Sequence, residues 1–458
     1  MKGLLFFSLL PFLIVTACAP VTAPVVRTAV PSMTAVSTPT IQTAGSPLQK
    51  YEPDLKGLTL QVWHPWFGTD ARLFELMVEE FNNKNLWGFK VAATGQVNYS
   101  MLYTNVTAAL PTADRPNMVI ALPEQARVWD ANGFVVDMTP YVNDPVYGWT
   151  SEEVRDIPQV FWLQDAAGER RVALPFQRSA RFLLWNKTWA AELGFSGPPM
   201  EATEFRQQAC AATRAMTADP DPEKHGLGGW MVDTDPMTAL SWLRAFQGGV
   251  QEGEGYRFMT PNNIEAFKFL RSLQEEGCAW VSREGVDPAH ALATRKALFI
   301  TADLGQFAEV SRVFAVENNK DDWVALAFPG QDNRALEIYG SSLVMLQGGE
   351  PAQLAAWLFM DWLLSPENDA RSAKTTGLFP IRSSSLLLLQ DYAASHPRWE
   401  QALEIIPQGD IQPQLGSWRK VRVMLGDGFT QMFRVSLPSG QVAAVLAQME
   451  STANDLNR

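Results

Sequence analysis

Leu58, Leu60 and Val62 alternate with other residues, the two-residue period of a strand, and Trp63-His64-Pro65-Trp66-Phe67-Gly68 ends the alternation in an aromatic loop. The period then lengthens. Leu73, Phe74, Met77 and Phe81 fall on one helical face behind Thr69 or Asp70 as cap, and the pattern stops near Asn82-Asn83. Val91 starts a second strand, residues 101–110 read as helical, and Met118 to Leu122 form a wholly apolar third strand. Strand and helix alternate, which predicts an α/β fold.

A different pattern follows. Val172 to Phe176 and Phe182 to Trp185 are short apolar runs separated by polar Gln177, Arg178 and Ser179. The gap lacks the Gly or Asn of a tight hairpin, so the chain is expected to cross here between two bodies, with the triplet at their seam. Further on, Glu201 to Met216 reads as a helix, Gly226 to Trp230 as a turn and Ala239 to Phe246 as a short helix. Thr260-Pro261 cap a helix carrying Ile264, Phe267, Leu270 and Leu273 that Gly277 stops. Ala297 to Ile300, Trp323 to Phe328 and Ser342 to Leu346 read as strands. Glu350-Pro351 opens a helix with Leu354, Leu358 and Trp362 on one face, and Ser365-Pro366 caps the next, ended by Gly377.

At 458 residues the chain suits two lobes rather than one core. Its net charge of −12, with no local run of Lys or Arg, disfavours nucleic acid and anionic lipid. Lys2 precedes an apolar run from Leu4 to Val15, and Thr16-Ala17-Cys18 follows; this resembles the lipobox of a bacterial lipoprotein, with residues 1–17 as signal and Cys18 lipidated. The run is too short to span a bilayer. Residues 18–50 are rich in Ala, Pro, Thr, Val and Ser and read as a disordered tether reaching at most ~3 Å per residue. Without Cys18, Cys210 and Cys278 remain, and in an oxidising compartment they either pair or stay as buried thiols.

Enzyme motifs are missing. There is no P-loop and no G-x-S-x-G, and Gly253-Glu254-Gly255 lacks the context of a dinucleotide loop. His64, His225, His290 and His396 have no metal-ligand spacing, so neither metal nor cofactor is expected. Glu79-Glu80, Glu152-Glu153 and Glu275-Glu276 are adjacent pairs whose side chains diverge on a helix. A glycoside hydrolase would need carboxylates distant in sequence. Aromatics are the positive signal: the chain has 16 tryptophans, and Trp66, Trp230 and Trp418 stand beside turn residues rather than inside apolar periods. Indole faces stack on the C–H faces of sugar rings, whose hydroxyls need Gln, Asp, Arg or Ser partners.

The segment Leu174-Pro-Phe-Gln-Arg-Ser-Ala-Arg-Phe-Leu-Leu-Trp-Asn-Lys187 resembles the first hinge of the extracellular solute-binding proteins of ABC importers, in the cluster with maltose and glycerol-3-phosphate binders. Tyr339-Gly340-Ser341-Ser342, the segment from Thr376-Gly377 to Arg382, and Pro413-Gln414 followed by Trp418 and Val421-Arg422 resemble further family segments. The resemblance runs through residues 55–430. It implies a two-lobed α/β fold, an N-lobe of 51–177 plus 329–364, a C-lobe of 178–328 plus 365–458, and crossings near Gln177, Pro329 and Ser365.

It implies a function as well: a lipid-anchored, monomeric, extracytoplasmic protein that closes on a mono- or oligosaccharide and presents it to membrane permease subunits. The expected ligand contacts are Trp66, Gln125, Gln177, Arg178, Ser179, Trp230, Asp303, Ser341, Arg382 and Trp418, with Trp418 as the principal stacking residue. Asp303 could instead cap the helix that follows it. Arg178 and Arg382 would clamp a phosphate if the ligand were glycerol 3-phosphate or a glycerophosphodiester. Glu201-Ala202-Thr203-Glu204-Phe205 lacks a family Trp, and Leu304 stands where maltose binders place another, which speaks against maltose itself. A receptor for a two-component sensor would share these features.

Overall fold

The computed structural model describes residues 45–282, 286–331, 333–434 and 437–458. The expected signal segment and Cys18 lie outside the described residues. The expected tether does not run to residue 50: Ser46 donates to Asp144 at 2.6 Å, and Gln49–Leu55 is a 3₁₀ helix with Leu55 fully buried.

Two sheets organise the chain. In the smaller, the strands Lys90–Gly95, Thr59–His64 and Met118–Ala121 run parallel in that order, Ser342–Met345 pairs antiparallel with Met118–Ala121, and Leu174–Pro175 closes the edge. The larger sheet has Ala279–Val281, Gly228–Val232 and Ala297–Asp303 parallel, then Ser179–Asn186, Arg334–Tyr339 and Phe328–Pro329 antiparallel in succession. Trp323–Leu326 also pairs with Ser179–Asn186, and Gly409–Ile411 with Arg334–Tyr339. Helices pack on the sheets to give the mixed α/β architecture expected.

Local chemistry explains several boundaries. Asn98 accepts from the Met101 amide and caps Tyr99–Ala109, while Thr260 accepts from Asn263 ahead of the Pro261–Glu275 helix. Phe74, Met77, Val78 and Phe81 form the buried stripe of the Gly68–Lys84 helix. Gly226 to Trp230, expected as a turn, is largely the strand Gly228–Val232, buried throughout. A β-carbon on Gly229 would lie 1.9 Å from the Cys278 carbonyl oxygen, so glycine here serves close strand packing and not a bend. Cys210 and Cys278 form a disulfide, with Cα atoms 4.5 Å apart.

The chain passes between the sheets twice, side by side. Phe176 and Gln177 both donate to the Ser341 carbonyl, and beyond them Tyr339 pairs with Ser179. The second passage falls at Gly340-Ser341, not near Pro329, because Phe328–Pro329 and Arg334–Tyr339 still belong to the larger sheet. Nor does the chain leave the smaller sheet's helices at Ser365: Pro366–Thr376 packs on Gly68–Lys84, with Arg371 2.6 Å from Glu80. The third link comes later, where Phe379 donates to the Arg178 carbonyl.

Candidate functional site

Strand register brings the carboxyl ends of both sheets to the double passage. Ala121 pairs with Ser342 and Ser342 with Pro175; in the other sheet Asp303 pairs with Arg181 and Tyr339 with Ser179. Open α/β sheets bind ligands outside such carboxyl ends.

On the side of the smaller sheet, Trp66 is half-buried against His64, Phe74 and Phe176, with ring centroids 5.4, 5.4 and 6.0 Å away. Burial pushes the Tyr99 hydroxyl up to about 12, although hydrogen bonding to Ser341 and Trp66 opposes this; Asp70 adds to it. Tyr99 therefore stays a neutral donor and acceptor. Burial likewise lowers His64 to about 4, so its imidazole is uncharged at neutral pH. Trp66, Asp70, Phe176, Gln177 and Thr376 enclose about 10 Å³ here.

On the side of the larger sheet, Arg181 lies 2.7 Å from Asp233 and 3.6 Å from Asp303. Burial works against its charge, but Asp233, Tyr339 and Asp235 outweigh burial and raise its pKa. Burial raises Asp303 despite Arg181, and raises Tyr339, with the Asp303 charge adding to it. Arg181, Met231, Asp233, Thr234, Thr301 and Gln306 line a cavity of about 320 Å³.

A third wall spans the seam. The Trp418–Met432 helix places Arg422 3.4 Å from buried Glu124 and the Arg419 guanidinium 4.0 Å over the Tyr103 ring. Just before it, the Gln412 backbone N–H donates to the Gln164 side chain, and the Gln414 side chain donates to the Leu163 carbonyl. Flat aromatic faces, hydroxyls and paired carboxylates together suit an uncharged, hydroxyl-rich solute.

Trp66, Gln177, Ser179, Asp303 and Ser341 come together around this passage. Asp303 also accepts from the Gln306 amide, so its cap role is real. The other expected contacts are engaged elsewhere. Gln125 caps its own helix through Leu122 and donates to the Tyr99 carbonyl. Arg178 is fully buried in an ion pair with Asp165 at 2.6 Å and also donates to the Ser341 carbonyl. Trp230 is enclosed by Phe205, Trp242 and Phe433 in the larger lobe's core. Trp418 is equally buried, its indole donating to Gln412 at 2.9 Å, and exposes no face for stacking. Arg382 donates to the carbonyls of Leu364 and Glu153 and lies over Trp149, away from the passage.

Sequence reasoning missed Tyr99, Arg181, Asp233 and Tyr339. Reading Gly228–Val232 as a strand would have flagged Asp233, the residue at its carboxyl end. Tyr339 opens the Tyr339-Gly340-Ser341-Ser342 segment, directly before the glycine of the passage.

A family model described as bacterial extracellular solute-binding protein matches residues 76–401. A binding protein of Brucella abortus (strain 2308) is 21% identical over 324 residues, which cover 68% of this chain and 74% of that protein. The sugar-binding protein MalE of Xanthomonas citri superposes with a TM-score of 0.74 at 17% identity, over 87% of this chain and 97% of its own. UgpB of Mycobacterium tuberculosis, solved in complex with glycerophosphocholine, does so at 0.67 and 18%, over 87% and 98%. These superpositions establish the two-lobed fold.

Proposed function

This chain belongs to the bacterial extracellular solute-binding proteins, and from that premise we propose that it captures a mono- or oligosaccharide between its lobes and delivers it to the permease of an ABC importer. The family and its structural neighbours are binding proteins and not enzymes, and the family places the chain outside the cytoplasm. No helix among the described residues is long and apolar enough to cross a membrane, and a lipid on Cys18 would hold the protein at the surface where the permease works.

One observation supports the choice of carbohydrate: Trp66, Tyr99 and Ser341 gather at the smaller sheet's end of the passage, and Arg181, Asp303 and Tyr339 gather at the larger sheet's end. An indole face with hydroxyl and carboxylate partners matches a pyranose. A solute touching both sides favours the closed arrangement by its differential affinity, which is the signal a permease reads. A thermal-shift panel of sugars tests this. At 100 times its dissociation constant a true ligand adds ~2.7 kcal/mol of stability. Trp66→Ala should abolish that gain, and a panel that gives no shift with any sugar would refute the carbohydrate reading.

A glycerophosphodiester is the second reading, though not through Arg178 and Arg382, whose guanidiniums are occupied. Arg419 favours it: stacked on Tyr103, it has no carboxylate partner among the described residues. Shifts with glycerophosphocholine that vanish in Arg419→Gln would support it over a sugar.

A further inference from the structure

A further cavity of about 750 Å³ lies outside the passage, shares none of its lining with the two cavities there, and falls within the usual range for ligand pockets of ~300–1,000 Å³. Trp87 and Trp362 line it, with Leu358, Asp361 and Ser384. The Trp87 loop enters the Lys90–Gly95 strand at its amino end, opposite the carboxyl end that meets the passage.

Its walls are fixed in place. Asn85 donates to the carbonyls of Phe81 and Phe89 and accepts from the Gly88 amide, and this clamp holds Trp87 beside Leu86, which is 94% exposed. Trp362 wedges on Phe81 and Phe359, with ring centroids 5.3 and 6.1 Å away. Opposite them, the Asp369 carboxylate accepts from the amides of Ile381 and Arg382, and Asp156 accepts from the Ser384 amide and hydroxyl. Neither the Trp87 nor the Trp362 indole N–H has a hydrogen-bond partner among the described residues, and both rings are only partly covered.

The geometry points to a second carbohydrate site on this lobe, one that takes an uncharged pyranose against the two indoles. Flat apolar faces with free N–H donors match the C–H face and oxygens of a sugar ring. The Asp361 carboxylate accepts from the Trp149 indole through one oxygen at 2.6 Å, leaving the other for a sugar hydroxyl. An anion is disfavoured: Glu152, Glu153, Asp156 and Asp361 outnumber Arg155 and Arg382, and the Arg382 guanidinium is already held by two carbonyls. The inference does not rest on the ligand proposed for the passage.

The test is ¹⁹F NMR of the full chain carrying 5-fluorotryptophan, titrated with glucose, maltotriose and cellotriose into the tens of millimolar, with Trp87→Phe and Trp362→Phe assigning the signals. The Trp87 and Trp362 resonances should shift together with one saturating curve, and Trp87→Ala should weaken that curve about tenfold while sparing any response at Trp66. Trp66→Ala should do the reverse, so failure of the passage as a sugar site would leave this result standing. Should no sugar move the two resonances, or should choline or spermidine move them where sugars do not, the second carbohydrate site is overturned. Trp87 packs partly against Phe89, so an unchanged melting temperature and the unmoved signals of the other tryptophans verify that the Trp87 variants stay folded; Leu86→Ser serves as a control that should change nothing.

Discussion

At the scale of single residues, the passage depends on one glycine. Gly340 has φ 152°, and a β-carbon there would sit 1.9 Å from the Gln177 carbonyl oxygen. That oxygen belongs to the adjacent passage, where it accepts from the Arg178 guanidinium, and cannot retreat without disturbing both passages. Gly340→Ala should therefore lower stability by ~3 kcal/mol or more, seen as a lower urea midpoint at an unchanged slope. Glu337 is a second such position. It is fully buried, neither carboxylate oxygen has a hydrogen-bond partner among the described residues, and Arg244 stands 3.5 Å away. Burial pushes its pKa up to about 8; Asp410 adds to the rise and Arg244 opposes it. The folded state thus holds a proton that the unfolded chain releases near its ordinary ~4.3, and stability falls as pH rises through that window to about 8. Glu337→Gln should flatten this slope and raise the melting temperature at pH above 8, while changing little in mild acid.

At the scale of elements, the disulfide ties the Ala202–Thr217 helix to Cys278, the residue just before Ala279–Val281, an edge strand of only three residues. Closing a loop across 68 positions is worth ~4 kcal/mol on the chain-entropy estimate. Reduction, or the double Ser variant, should lower the melting temperature measurably, and labelled-amide exchange should rise first in that strand. Much of this layer was legible in the sequence, because period and caps are local properties: the Phe74-Met77-Phe81 stripe and the Thr260 cap were both read from residue type alone. What failed was tertiary. Arg178 and Trp418 look like ligand contacts in sequence, yet folding buries both: Arg178 is consumed by Asp165 and by Ser341 and Ser342 from far along the chain, and Trp418 by Gln412. Gly226 to Trp230 reads as a turn because glycine usually marks one, whereas here Gly229 admits the Cys278 backbone.

At the scale of the whole molecule, a shared apolar core joins the two sheets, and polar contacts clasp the seam beside it. Glu124 to Arg422 and Tyr103 to Arg419 link helices of the smaller sheet's side to the Trp418–Met432 helix. Arg422→Gln removes one clasp and leaves buried Glu124 unpaired in the closed arrangement, so the open one should gain population. The radius of gyration of the free protein should rise in small-angle scattering, and ligand affinity should fall in proportion to the closed fraction lost. The space of about 10 Å³ beside Trp66 has a consequence for timing. A solute of sugar size cannot enter it, since ligand pockets start near ~300 Å³. A solute that is to stack on Trp66 must wait for the walls of this space to part, so in stopped-flow Trp fluorescence the observed rate should climb with solute concentration and then level off. That ceiling is the parting rate itself, a clock set by the clasp and indifferent to which solute is waiting.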